Sequence, residues 1–116
     1  MELIKYVIGE DKLIEEAIAM IELNSSRCVI VHKNNNKVVG IVSEGDILRG
    51  VLKGLSIHAP VKQIMNTNFV HLMSKDNDRI ISLFKKGITL IPILDENYYL
   101  TEVVELVSFF NQKENE

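Results

Sequence analysis

Residues Gly40–Gly50 read GIVSEGDILRG: a short apolar run stops at Ser-Glu-Gly-Asp and then turns apolar again. The first part has the length and β-branching of a buried strand, and SEGDILRGVLKG reads as a helix stopped near Gly54. At the junction, the Ser43 hydroxyl can accept an amide proton from the first helical turn. Asp46, three positions on, can answer back to Ser43 and face the positive end of the helix dipole. Such a capping box stabilises by about 1 kcal/mol. A carboxylate at a strand-to-helix junction can also accept two bonds from a ribose. The helix amides beside it suit phosphate, and Gly45 permits close backbone approach.

Working outward, CVIV (Cys28–Val31), the polar HKNNNK and VVGIV form a hairpin whose turn uses Asn34 to Asn36. Upstream, Asp11 to Leu23 carries Leu13, Ile14, Ala17, Ile18 and Ile21 at helical spacing, with Glu15, Glu16 and Glu22 largely opposite. LIKYVI before it reads as a lead-in strand. The second half repeats the order. NFVHL is expected as a strand, DNDRIISLFKKG as a helix closed by Gly87, and LIPIL as a strand. DENYY is the expected turn, LTEVV the return strand and ELVSFF the last helix. Ile14–Val31 superposes on Asn77–Leu94 at a shift of about 63 with no gap. The expected fold is therefore mixed α/β (α+β), two repeats each of strand-helix-strand-strand-helix packed with pseudo-twofold symmetry in one module spanning 1–116. Repeat one is expected at about 3–57 and repeat two at about 60–112, with SIHAPVKQIMNT as connection and a fraying polar tail at 111–116.

The 116 residues suit one core, because halves of this size are marginal alone. A formal charge of −3 from interspersed acids and bases argues against a nucleic-acid partner. No apolar run is long enough for a bilayer and no signal peptide is evident, so a cytoplasmic location is expected. The single cysteine, Cys28, reads as a small core residue. His32, His58 and His71 lack metal-ligand spacing, so no metal site is expected. Met20, Met65 and Met73 read as filler, and Tyr98 and Tyr99 as exposed turn aromatics.

The order of elements, the repeat and the motif Gly40, Ile41, Val42, Ser43, Asp46 resemble the tandem cystathionine-beta-synthase (CBS) domain pair. More narrowly, VSEGDILRGVLKGLSIHAPVKQIMNTNFV resembles the CBS pair preceding the catalytic domain of some bacterial sugar-nucleotide nucleotidyltransferases. The resemblance implies one adenosine-containing ligand, an adenine nucleotide (AMP, ADP or ATP) or S-adenosylmethionine, held between the repeats as a regulator, with no obligatory cofactor. It also implies a homodimer, and a fused or partner nucleotidyltransferase domain. Carried over by position, Asp46 would accept the ribose hydroxyls and Ser43 would contact phosphate or hold the turn. Asn68, Phe69 and Val70 would line the base pocket. Ser26, Arg27 and Thr89 would flank the cleft, with Arg27 as leading phosphate partner and Arg49 as a weaker candidate.

Aligned by the repeat, Val104 and Val107 stand where the first half has Ser43 and Asp46, and Thr101 where it has Gly40. On that register the second half lacks ribose-binding groups, and at most one ligand site is expected. Few bases lie near the intact site, which favours a monophosphate or an uncharged adenosyl group over a triphosphate. No nucleophile with a base beside it and no glycine-rich phosphate loop is present, so no catalytic residue is expected. The expectation is a ligand-sensing regulatory module rather than an enzyme. Its rival is a dimerisation module that binds nothing.

Overall fold

The computed structural model describes residues 3–34 and 36–114. Asn35, in the middle of the expected turn, and the last two residues of the expected tail lie outside them. In the first half, β1 (Val7–Gly9), α1 (Ile14–Asn24), β2 (Cys28–Lys33), β3 (Lys37–Ser43) and α2 (Glu44–Leu52) follow in order. β1 lies parallel to β2, with α1 as the crossover, and β3 returns antiparallel to β2. The lead-in strand is shorter than expected, because Leu3–Tyr6 winds into a 3-10 turn and only Val7–Gly9 pairs. That turn is tied down by Asn24, whose buried side-chain amide donates to the carbonyls of Lys5 and Cys28.

α1 starts at Ile14, three residues later than its apolar pattern suggests. Leu13 has no side-chain acceptor with which to cap, so the helix is finished by other groups. Glu16 accepts the Leu13 N–H at 2.8 Å. The carbonyls of Ala59 and Ile57, in the connection between repeats, accept the N–H groups of Ile14 and Glu15. The connection thus packs on the first repeat and carries a short 3-10 turn at Val61–Gln63. Val61 is fully buried among Ile8, Ile14, Ala17, Val29, Val31 and Val42. Gly40 allows this approach: a Cβ there would stand 2.9 Å from the Met65 side chain and 3.1 Å from the Asn66 carbonyl.

In the second half, α3 (Asn77–Lys85), β4 (Leu90–Leu94), β5 (Leu100–Glu105) and α4 (Leu106–Glu114) follow. Here the helix caps itself, since the Asp76 carboxylate accepts the N–H groups of Asp78 and Arg79. NFVHL is not a regular strand. Only Leu72 pairs with β4, donating to the Pro92 carbonyl at 3.1 Å and accepting from Leu94 at 2.9 Å. One further parallel rung, at Val70, would need an N–H from Pro92, which has none. The tail differs too, with α4 running on to Glu114 where fraying was expected.

The repeat is real, but its register slips by one residue between helix and strand. The buried pairs Ala17 and Ile80, and Ile21 and Phe84, keep the shift of 63. The bulges at Val31/His32 and Ile93/Leu94, and the helix starts at Glu44 and Leu106, follow a shift of 62. The counterparts of Ser43 and Asp46 are therefore Glu105 and Ser108, not Val104 and Val107, and Gly40 faces Glu102 rather than Thr101. Glu105 is buried, and its two carboxylate oxygens accept the N–H groups of Val107 and Ser108 at 3.1 and 2.8 Å. The second half does have a polar cap, supplied by the acid.

Each repeat keeps an apolar cluster under its own helices, and a third cluster joins them. In the shared cluster Tyr6, Cys28, Ile30 and Val38 meet Leu90, Leu94 and Val103. The hairpin ends are also stitched, with Val38 donating to the Tyr98 carbonyl and Leu100 to that of Asn36. The Thr89 hydroxyl donates to the Ser26 carbonyl across the same boundary.

Candidate functional site

Where the β3–α2 junction faces the second repeat, a cleft of about 420 Å³ opens. Repeat one contributes Arg27, Cys28, Ile41, Ser43, Glu44 and Gly45. Asn66 of the connection and Phe69 and Val70 just after it form one wall, and Gly87, Ile88, Thr89 and Leu90 the other. The missing rung at Pro92 releases Phe69 and Val70 from sheet pairing, so both can present side chains here. Phe69 also stands 5.3 Å, centroid to centroid, from His71, which in turn stands 5.1 Å from Tyr98.

The polar side of the cleft is built by the motif at the junction. Ser43 caps α2, its hydroxyl accepting the Asp46 N–H at 3.2 Å. The Asp46 carboxylate answers through Oδ2, which accepts from the Ser43 N–H at 2.9 Å and from the Ser43 hydroxyl at 3.0 Å. Oδ1 accepts from Arg49 at 2.8 Å. The capping box is thus formed, and it occupies most of the carboxylate. Arg27 sits at the rim, 3.9 Å from Glu44. Its backbone is left-handed (φ 65°), as is that of Ser25 (φ 58°), a conformation that costs a non-glycine residue about 1–2 kcal/mol. The buried Asn24 side chain offsets this by accepting the intervening Ser26 N–H at 2.8 Å.

Of the residues expected at the site, Arg27, Ser43, Phe69, Val70 and Thr89 line one cleft. Three do not. Ser26 is buried behind the wall, bonded to Asn24 and receiving Thr89. Asn68 is exposed, its N–H bound to the Asn66 side chain at 2.9 Å in a local turn, and Asn66 takes the lining position instead. Asp46 is not in the lining and borders a separate hollow with Arg49, Gly50 and Lys53. Glu44 and the backbone at Gly87 and Ile88 went unnoticed in the sequence, because an exposed acid and a helix-closing glycine carry no local mark of a ligand. On the symmetry-related side, Leu3 and Tyr6 of the N-terminal turn join Leu90 and Val103 in the shared core.

Cys28 forms part of the cleft floor. Burial pushes its thiol up from 9.0 to about 11; the Thr89 bond pulls it back, and the Asp46 and Glu44 charges add to the rise. The unfolded thiol ionises first, so this contribution to stability is whole below about pH 9 and is lost as pH rises through the folded value near 11. We therefore expect Cys28→Ala to lose less stability than wild type between those pH values in urea titrations, and native Cys28 to resist iodoacetamide at pH 8. An equal alkaline slope in both proteins would contradict the assignment.

Comparison with known proteins bears on this geometry. Residues 5–53 match the CBS domain family. Over 96 residues, covering 79% of this chain, the sequence is 31% identical to arabinose 5-phosphate isomerase GutQ of Salmonella typhi. The chain spans about 30% of that relative's length. The protein AcuB from Vibrio cholerae superposes with a TM-score of 0.81 at 20% identity, covering 95% of this chain and 83% of that one. A CBS domain protein from Pyrobaculum aerophilum, complexed with AMP, superposes with a TM-score of 0.69 at 19% identity, covering 95% and 91%. The chain therefore carries a CBS domain and folds throughout its described length as a tandem CBS module.

Proposed function

We propose that this chain is a regulatory module that binds one adenosine-containing ligand in the cleft between its repeats and biases an attached or partner enzyme. The observation that carries the reading is the composition of the cleft. Phe69, Val70, Ile41 and Ile88 offer an apolar slot for a base, Ser43 and Thr89 offer hydroxyls, and Arg27 offers a cation at the rim. The AMP complex of the Pyrobaculum aerophilum protein, which shares the fold, supports the choice of ligand class. A ligand touching both repeats changes their relation to each other only as far as it binds one arrangement better than another. The isomerase relative favours a sugar-phosphate isomerase as the regulated enzyme over the nucleotidyltransferase expected from the sequence.

The test is titration calorimetry with AMP, ADP, ATP and S-adenosylmethionine. We expect saturable heat with a stoichiometry of one per chain, and silence toward all four overturns the reading. A dimerisation role has its own observation, since Leu23, Leu48 and Leu52 on α1 and α2 stand 64–85% exposed. Sedimentation should give a dimer that Leu48→Glu dissociates. A wild-type monomer at micromolar concentration removes that role.

A further inference from the structure

Electrostatics sorts the adenosyl ligands, an inference that rests on the cleft reading above. The residues lining the cleft include one cation, Arg27, and one anion, Glu44, set 3.9 Å apart. Arg27 is thus already partly neutralised where a phosphate would meet it. Arg49, the next cation along α2, is held by Asp46 at 2.8 Å and is outside the lining. Lys85 and Lys86 precede Gly87 but are also outside it. Backbone donors are few as well. At the start of α2 the Glu44 N–H goes to the Arg27 carbonyl and that of Asp46 to Ser43, which leaves Gly45 as the first-turn amide without an acceptor among the described residues. One guanidinium and one amide match a single phosphate. The negative charges of Glu44 and Asp46 are felt at Cys28 on the cleft floor.

We infer that Glu44 is a specificity-determining residue, a charge filter at the cleft rim that admits adenosyl ligands carrying at most one phosphate and disfavours di- and triphosphates. A second or third phosphate brings further negative charge against the Glu44 carboxylate with no free cation to receive it. At separations of several ångströms near a protein surface, each such charge weakens binding about threefold to tenfold. Adenosine escapes this repulsion, and S-adenosylmethionine, with its sulfonium, is drawn toward the acid.

The experiment is calorimetry at fixed ionic strength with EDTA present, titrating adenosine, AMP, ADP, ATP and S-adenosylmethionine into wild type, Glu44→Gln and Arg27→Gln. Wild type should bind AMP more tightly than ADP and ADP more tightly than ATP, by about threefold or more per phosphate. Glu44→Gln should flatten that series while leaving adenosine unchanged, and Arg27→Gln should weaken AMP but not adenosine. Glu44 is exposed and its side chain has no hydrogen-bond partner among the described residues, so circular dichroism should show both variants folded. Binding with ATP as tight as AMP, or an unchanged series in Glu44→Gln, overturns the filter and leaves the cleft reading standing. Silence toward every ligand overturns the cleft reading itself.

Discussion

Replacing Ile30 by alanine should destabilise the protein by about 2–5 kcal/mol, enough to consume much of the stability of a small domain. Ile30 is fully buried in the cluster that holds the two repeats together, beside Tyr6, Cys28 and Val38 from one and Leu90, Leu94 and Val103 from the other. The cavity left by its missing carbons has rigid walls on both sides, because the hairpin ends are hydrogen-bonded to each other and cannot close in freely. The form of the loss matters as much as its size. Since this core belongs to both halves, urea unfolding followed by circular dichroism should remain a single transition at a lower midpoint. By contrast, Ile80→Ala strikes a cluster built from the second repeat alone. Two separated transitions in the Ile30 variant would show that the repeats stand independently.

The second large effect concerns the ligand. Asp46→Ala should weaken adenosyl binding at least tenfold and also lower stability by about 1 kcal/mol, the cost of a lost cap. The two losses can be separated. Asp46→Asn keeps an oxygen for the Ser43 N–H and so should retain most of the stability, while losing the charge-assisted bonds that ribose hydroxyls would donate to the carboxylate. Because Arg49 holds Oδ1, a ribose has to displace or share that guanidinium. Arg49→Ala should therefore bind no more weakly than wild type. Unaltered affinity in both Asp46 variants would assign the carboxylate to capping alone.

The second half shows what a sequence discloses and what it hides. LIPIL is a strand over those five residues, and α3 starts where Asp76 offers its cap. Both follow from side chains acting on their own neighbours. NFVHL has the composition of a strand and fails to become one because of Pro92, some twenty residues away, whose missing N–H matters only once the two segments lie side by side. The register of the last helix was misread for a related reason. Val104 and Val107 stand 61 residues from Ser43 and Asp46, one short of the shift of 62 kept by the bulges and helix starts, and apolar-on-apolar matching does not detect the difference, since Val104 and Glu105 are both buried. That misreading had a functional consequence. A register that sets Val104 and Val107 against Ser43 and Asp46 leaves the junction with no polar side chain, whereas Glu105 caps it through both oxygens. Occupation of the junction by a polar group is therefore no argument for a ligand, and the case for Asp46 rests on its bonds to Ser43, which lines the cleft. Within the site, Arg27, Ser43, Phe69, Val70 and Thr89 were named through the family resemblance, which assigns them by position, and they line one cleft. Asn66 was hidden by the turn it makes with Asn68.

The two helices that open the repeats are finished differently, α3 by its own Asp76 and α1 by carbonyls of the connecting segment. This makes the halves unequal as parts for construction. A circular permutant cut at Ser56–His58 would strip α1 of the acceptors for its first amides. A permutant cut just before Asp76 would leave every helix start intact. Anyone splitting the module, or grafting it onto another enzyme, should carry residues 55–66 with the repeat they follow rather than the one they precede.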